Sequence, residues 1–352
     1  RFYVFWEATL VPLFFLIDRL GGADRQRAAL NFFLYTLGGS VFMLVALLFL
    51  YDAAPGHSFA MGDMAEGGRG LATGMQVLIF AGLLLGFGVK MPVVPLHGWL
   101  PLAHVEAPSP VSILLSGVLL KMGAYGLIRA AETLPAAMLA LQPGLAALGL
   151  ISLLYGAMLA WRQQDLKAMV AYSSISHMGL VLLGIATLDP NGLRGAVLQM
   201  VAHGLTAALL FLLVGLLYQR THSRDLADCP PLAADAPRLA GALAFAFVAA
   251  LGIPGSAGFF AEWQVLLAVW TRWSGWVVLL GVALLIAAAY SVRVIGQVWR
   301  PGSGSGVPDL SSSERLGVGV LVLAIVGLGV WPNGVLNLMA PAVQALAAAW
   351  QG

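Results

Sequence analysis

The sequence predicts an all-α polytopic membrane protein, and three observations carry that reading. Of its 352 residues, 60% are hydrophobic and only 10% are Asp, Glu, Lys or Arg, against about 25% charged in a soluble domain. The mean hydropathy is +0.89. Apolar stretches of the length that crosses a bilayer, about 20 residues each, recur along the chain. Inside hydrocarbon only helices and closed barrels satisfy their own backbone, and stretches this long read as helices.

Ten spans follow in order, at about 2–17, 28–51, 71–97, 109–131, 137–160, 168–188, 193–219, 238–270, 274–298 and 315–342. The first opens almost at the chain's first residue, as "RFYVFWEATLVPLFFLI", with no cleavage signal. We therefore expect the true N-terminus to be missing. "DRLGGADRQR" (18–27) separates it from the second span. "YDAAPGHSFAMGDMAEGGRG" (51–70) reads as a polar extramembrane loop before the third. Pro92 and Pro95 interrupt the third span, and Gly252, Pro254 and Gly255 interrupt the eighth. A backbone gap inside the membrane is tolerated only where protein or water satisfies the freed groups. Both interrupted spans are long and carry one ionisable residue near the break, a pattern that suggests an inverted-repeat transporter with its site at the breaks. "QRTHSRDLADCPPLAADAPR" (219–238) is a polar connection, and "RPGSGSGVPDLSSSER" (300–315) reads as a flexible Gly/Ser linker before the last span. Loops 18–27, 161–167, 219–238 and 299–315 hold most of the positive charge; with an odd number of spans expected between several of them, the positive-inside rule gives no single answer and the orientation stays open.

Several classes of function are excluded. The single cysteine, Cys229, rules out a disulfide framework or a cysteine-ligated iron–sulfur cluster within the chain. One Cys and six scattered His argue against structural zinc. No dinucleotide fingerprint, Walker motif or haem signature occurs, and a net charge of +2 gives no sign of nucleic-acid binding. Ser and His occur together at 173–177, but no nucleophile–base–orienter set emerges.

What remains is a set of ionisable residues in apolar surroundings. A charge at mid-bilayer costs about 2.5–3.5 kcal/mol on insertion scales, so each is a candidate functional group. Glu7 reads either as a proton-relay or ion-pair carboxylate or as a surface residue that reaches water. Lys90 follows the uncharged run "VLIFAGLLLGFGV"; it is either a deep proton-exchanging lysine tuned by a carboxylate or a side chain snorkelling to the interface. Lys121 lies about 18 Å along a helix from Ser109, in mid-membrane. His177 and His203 each sit in an otherwise uncharged span, where imidazole can relay a proton or serve as a hydrogen-bonded core group. Glu262 follows the second break, with a helix start near water as its alternative. His104 and Glu106 read equally as entrance or as structural turn, and Lys167 reads as a positive charge at the membrane surface.

At these residues the sequence becomes recognisable. "KMPVVPLHGWLP", "AHVEAP", "LLKMGAYGLIR", "DLKAMVAYSSISHMG", "VAHGL" and "FFAEW" occur in the order found in the antiporter-like membrane subunits of respiratory complex I, which the chain resembles over essentially its whole length. Among them it is most similar to the M-type subunits of bacterial NADH–quinone oxidoreductase. The resemblance implies a fourteen-helix antiporter-like fold with inverted five-helix repeats and two broken transmembrane helices. Residues 1–131 would then be the remainder of the first repeat half with its N-terminal helices missing, 137–299 the second half, and 300–352 a linker and C-terminal transmembrane helix.

By resemblance, Glu7 pairs with Lys90, Lys121 is the central lysine, His177 and His203 bridge toward the second half, and Glu262 closes the path. "WLPLAH" departs from the usual "WLPDAH": Leu102 stands where the family carries an acid, which weakens an entrance role for that turn. The implied activity is proton translocation driven by quinone reduction elsewhere in the complex. FMN, iron–sulfur clusters and quinone would belong to other subunits, with no cofactor in this one. The implied partners are the other membrane subunits, including neighbouring antiporter-like subunits, together with lipid, in a bacterial inner membrane. A multisubunit cation/proton antiporter and a membrane-bound hydrogenase share this architecture and stand as the alternatives.

Overall fold

The computed structural model describes residues 1–302 and 306–351. Among them the chain forms α-helices throughout, with one isolated bridge between Asp165 and Asp225. In order they are α1 (Phe2–Ala8), α2 (Leu10–Leu20), α3 (Arg25–Ala53), α4 (Met61–Gly70), α5 (Thr73–Lys90), α6 (Trp99–Glu106), α7 (Ser109–Leu114), a π turn (Leu115–Leu119), α8 (Leu120–Thr133), α9 (Pro135–Arg162), α10 (Leu166–Ala186), α11 (Pro190–Thr221), α12 (Pro237–Ala250), α13 (Ala257–Trp273), α14 (Trp276–Val298), α15 (Ser312–Val330) and α16 (Asn333–Gln351). Eight helices or helix pairs are long and apolar enough to cross a membrane. The expected first and eighth spans are each built from two pieces, α1/α2 and α12/α13.

The pieces have local causes. Pro12 cannot donate to the carbonyl four residues back, so the first span divides between Ala8 and Leu10 and presents the Thr9 hydroxyl at the division. Helix α5 stops at Lys90 because Pro92 lacks an N–H and biases Met91 away from helix. Groups from elsewhere then satisfy this break: the Trp99 indole donates to the Val89 carbonyl at 2.9 Å, and the Val94 amide donates to Ser152 Oγ on α9 at 3.0 Å. The second break turns on glycines, with φ of +66° at Gly252 and +92° at Gly255, a region that favours residues without Cβ.

Burial ranks the helices. In α10, 89% of the most apolar window is buried, against 17% in α15. Helix α10 is therefore the central post, while α15 exposes Leu316, Val320, Leu323 and Val330, as a lipid-facing helix does.

Several expectations need correction. The last span does not run to residue 342: Pro332 forces Trp331 out of helical geometry (φ −128°, ψ 66°), so α15 ends at Val330 and α16 starts afresh. Within the loop 51–70, residues 61–70 form α4. Of the expected linker, residues 303–305 lie outside the described residues. The described part is anchored, because Asp309 accepts the backbone N–H groups of Arg238 and Leu239 at the start of α12, at 3.2 and 2.9 Å.

The expected odd spacing of the positive loops is also corrected, and they gather at one basic end. The four positive loops are separated by even numbers of crossings, and the structure ties them together. Gly22 N donates to Glu106 O at 3.0 Å, Leu166 N to Arg224 O at 2.9 Å, Arg224 pairs with Asp165 at 3.1 Å, and Arg220 with Glu314 at 2.7 Å.

Candidate functional site

Helix α8 begins one residue after the π turn, a distortion common at functional sites, and Lys121 is its second residue. There the backbone runs close to α11. A Cβ added at Gly204 would lie 2.9 Å from the Gly117 carbonyl, so only glycine admits this approach. The approach sets Lys121 against α11. Its Nζ donates to the Ser116 carbonyl and stands 2.7 Å from His203 Nδ1. His203 is 3% exposed. An exposed or lipid-facing snorkeller would show neither contact.

The row continues across the molecule. The rings of His203 and His177 have centroids 5.2 Å apart. His177 Nδ1 is 3.9 Å from Glu262 Oε1, with the two side chains 13% and 12% exposed. Four of the six sequence-predicted residues are thus brought into one line, Lys121–His203–His177–Glu262, carried by α8, α11, α10 and α13. Glu262 rests against the second break, where a Cβ on Gly252 would collide with its carboxylate. His177 and Glu262 share a cavity of about 140 Å³ with Tyr290 of α14. That is roomy enough for several waters, since one needs only about 10–15 Å³ of such space. Ser116 and Ser174 hydroxyls meet at 3.2 Å nearby, so the α7–α8 side of the row is polar too.

Glu7 and Lys90 form a second, separate cluster. Lys90 is 2% exposed. It donates to Thr9 Oγ1 at 3.0 Å, and its ammonium lies 5.1 Å from the centre of the Trp6 ring, a cation–π contact. No ion pair to Lys90 forms among the described residues. Among the described residues Glu7 Oε1 is buried without a hydrogen-bond partner. The Glu7–Lys90 contact pair implied by resemblance is therefore open here, and Thr9 with Trp6 holds the lysine instead.

Lys167 corrects an expectation, His104 lies deep in its turn, and Gln199 is a group the sequence did not single out. Lys167, read as a surface charge, is 6% exposed and donates to the Ala107 carbonyl. His104 is fully buried, stacked on Phe211 with centroids 4.5 Å apart, and both its ring nitrogens lack partners. Gln199, unmentioned by any motif, donates from Nε2 to His177 Nδ1 at 3.0 Å. Its spacing was the available signal: it lies one helical turn before His203, hence on the same face of α11.

The fold and this row define a class: a polytopic helical membrane protein whose interior carries a connected line of titratable side chains. Residues 1–287 match the family described as NADH:quinone oxidoreductase/Mrp antiporter, TM, and the chain belongs to that family. It is 41% identical over 346 residues to NAD(P)H-quinone oxidoreductase chain 4 2 of Thermosynechococcus vestitus, covering 94% of this chain and 64% of the relative. It is 34% identical to NADH-quinone oxidoreductase subunit M of Rickettsia bellii, covering 98% of this chain and 70% of that one. A chain in the structure of respiratory complex I from Thermus thermophilus with bound NADH superposes with a TM-score of 0.94 at 34% identity, over 100% of this chain and 75% of that chain. The chain spans about two thirds of the length of the first of these relatives, 64%.

Proposed function

We propose that this chain is a proton-translocating, antiporter-like membrane subunit of an NADH–quinone oxidoreductase. The line Lys121–His203–His177–Glu262 carries the proposal, because its members differ in charge type and follow one another at 2.7 Å (Nζ to Nδ1), 5.2 Å (ring centroids) and 3.9 Å (Nδ1 to Oε1). The chain would hold no redox cofactor. FMN, iron–sulfur clusters and quinone would reside on other subunits, and neighbouring antiporter-like subunits would be its direct partners.

The chemistry is proton exchange. A buried ammonium is stabilised by a nearby carboxylate, and its hold on the proton changes when that carboxylate moves. Glu7 would approach Lys90 in one state and leave it to Thr9 and Trp6 in the other. The changing charge at Lys90 would act on Lys121, which hands a proton to His203; His177 and Glu262 would carry it on. The basic end would face the cytoplasm of a bacterial inner membrane, following the positive-inside rule.

The experiment is Lys121→Ala in the assembled complex, reconstituted in vesicles. Loss of pumping with NADH oxidation retained or slowed supports the reading. A wild-type ratio of protons to electrons would refute it. Copurification distinguishes the rival: NADH-oxidising and iron–sulfur partners argue for the oxidoreductase, and membrane subunits alone argue for a cation/proton antiporter.

A further inference from the structure

We propose that Gln199 is a positioning residue that rectifies proton transfer between His177 and Glu262, by choosing which ring nitrogen of His177 bears the proton. The inference rests on the proton-transfer reading above.

Gln199 is 2% exposed, in the middle of α11. Its Nε2 donates to His177 Nδ1 at 3.0 Å, while its Oε1 is buried with no partner. His177 Nδ1 is the same nitrogen that stands 3.9 Å from Glu262 Oε1. Gln199 and Glu262 therefore compete for one atom.

The two amide orientations have opposite consequences. As observed, the amide N–H occupies the Nδ1 lone pair, so neutral His177 carries its proton on Nε2. In that state Nδ1 can neither give a proton to Glu262 nor take one back. A half-turn of the amide exchanges N and O at nearly the same positions. Oε1 then accepts from Nδ1–H, the tautomer with its proton beside Glu262.

The step balances. An N–H bond forms at Nε2 with the proton supplied through His203, the Nδ1–H bond breaks, and an O–H bond forms on the Glu262 carboxylate, bridged by one water of the cavity. His177 ends neutral with its tautomer exchanged, and that is the tautomer the observed Gln199 orientation holds. Back-transfer from Glu262 is blocked once the amide turns back to present its N–H to Nδ1. The charged or titratable groups around His177 are His203 from α11, Glu262 from α13, Tyr290 across the cavity from α14, and Lys121 of α8 behind His203. Among the described residues the hydrogen bond found at Nδ1 is that of Gln199.

The test compares pumping at zero load with pumping against an imposed proton gradient, in vesicles containing the whole complex. Gln199→Met keeps the shape and removes both hydrogen-bonding groups. We expect the ratio of unloaded to loaded pumping to rise by about tenfold, the equivalent of one hydrogen bond to the ring. A purely structural role would lower both rates in proportion, and that result, or an unchanged ratio, overturns the proposal. Gln199→Glu provides an independent arm if the Met variant does not assemble. Its carboxylate accepts from Nδ1–H and traps that tautomer, so forward pumping falls near neutral pH and recovers as acid protonates residue 199. A flat pH response relative to wild type overturns the proposal. Glu262→Gln runs alongside: if that variant pumps normally, the proton-transfer reading itself has failed, whereas loss of pumping there with an unchanged ratio in Gln199→Met isolates the failure to Gln199.

Discussion

Lys121 Nζ stands 2.7 Å from His203 Nδ1. An ammonium has no lone pair, so in that state the ring nitrogen is the acceptor and His203 bears its proton on Nε2. Under the proposed function the two residues act as one proton-transfer unit. Lys121→Ala and His203→Ala should each lower pumping by at least about tenfold, and the double variant should be no worse than the more severe single, because groups acting as a unit are non-additive. Initial pumping rates in vesicles, normalised to NADH oxidation, check this. Additive losses would mean that the two serve different paths.

Thr9 is the hydroxyl that holds Lys90. Lys90→Ala should abolish coupled pumping. Thr9→Val, which keeps the size and removes the acceptor, should lower it only severalfold, because one neutral hydrogen bond is worth about 0.5–1.5 kcal/mol. Thr9→Ser should restore the wild-type rate. If valine and threonine are indistinguishable, Lys90 is held by Trp6 and the surrounding packing alone.

Gly252 combines positive φ with a carboxylate against its Cα. Gly252→Ala should destabilise the chain by at least about 1 kcal/mol and displace Glu262, lowering pumping as well. Gly241, in the middle of α12 with open space around it, is the matched control. Gly241→Ala should be neutral or stabilising by about 0.5–1 kcal/mol. Thermal unfolding of the purified complex, read beside pumping, separates the two.

Asp309 gives a pH dependence outside the membrane-spanning segments. Partial burial pushes its carboxyl up, but the backbone N–H groups of Leu310, Leu239 and Arg238 and the Arg238 charge outweigh that, holding it below the ordinary value of 3.8. A depressed folded pKa stabilises the folded state above the unfolded value, and the contribution is lost as pH falls through the folded one. The start of α12 should therefore loosen below about pH 4. Hydrogen exchange of the Arg238 and Leu239 amides should accelerate there, and Asp309→Asn should show the faster exchange already at neutral pH. Unchanged exchange in Asp309→Asn would deny it the anchoring role.

Much of the site was legible because the membrane makes charge conspicuous. Lys121, His177, His203 and Glu262 stand out from apolar runs, and all four are joined through contacts that no single run contains. Thr9 and Gln199 escaped notice because neutral polar residues are unremarkable in a helix until a charged neighbour is known. Lys167 was misread because the first turn of a helix lies at the surface in most proteins, whereas here α6 and the loop after it cover that turn and supply the Ala107 carbonyl. The second break was legible from Gly252, Pro254 and Gly255. The π turn before Lys121 was not, since "LSGVL" has ordinary helical composition.

The two breaks differ mechanically. The first is braced from outside, by Trp99 on the Val89 carbonyl and by Ser152 on the Val94 amide. The second is closed by its own short backbone bonds, Leu251 to Val248, Gly252 to Ala249 and Ser256 to Ile253, and by α15, whose Gly329 lies against Gly255 and Ser256. One seam is latched by side chains of α6 and α9, the other by backbone contact with the lipid-facing helix. Lys90 sits at the first and Glu262 just beyond the second, so the lysine is seated in the packed interior and the carboxylate beside the wall that faces the bilayer.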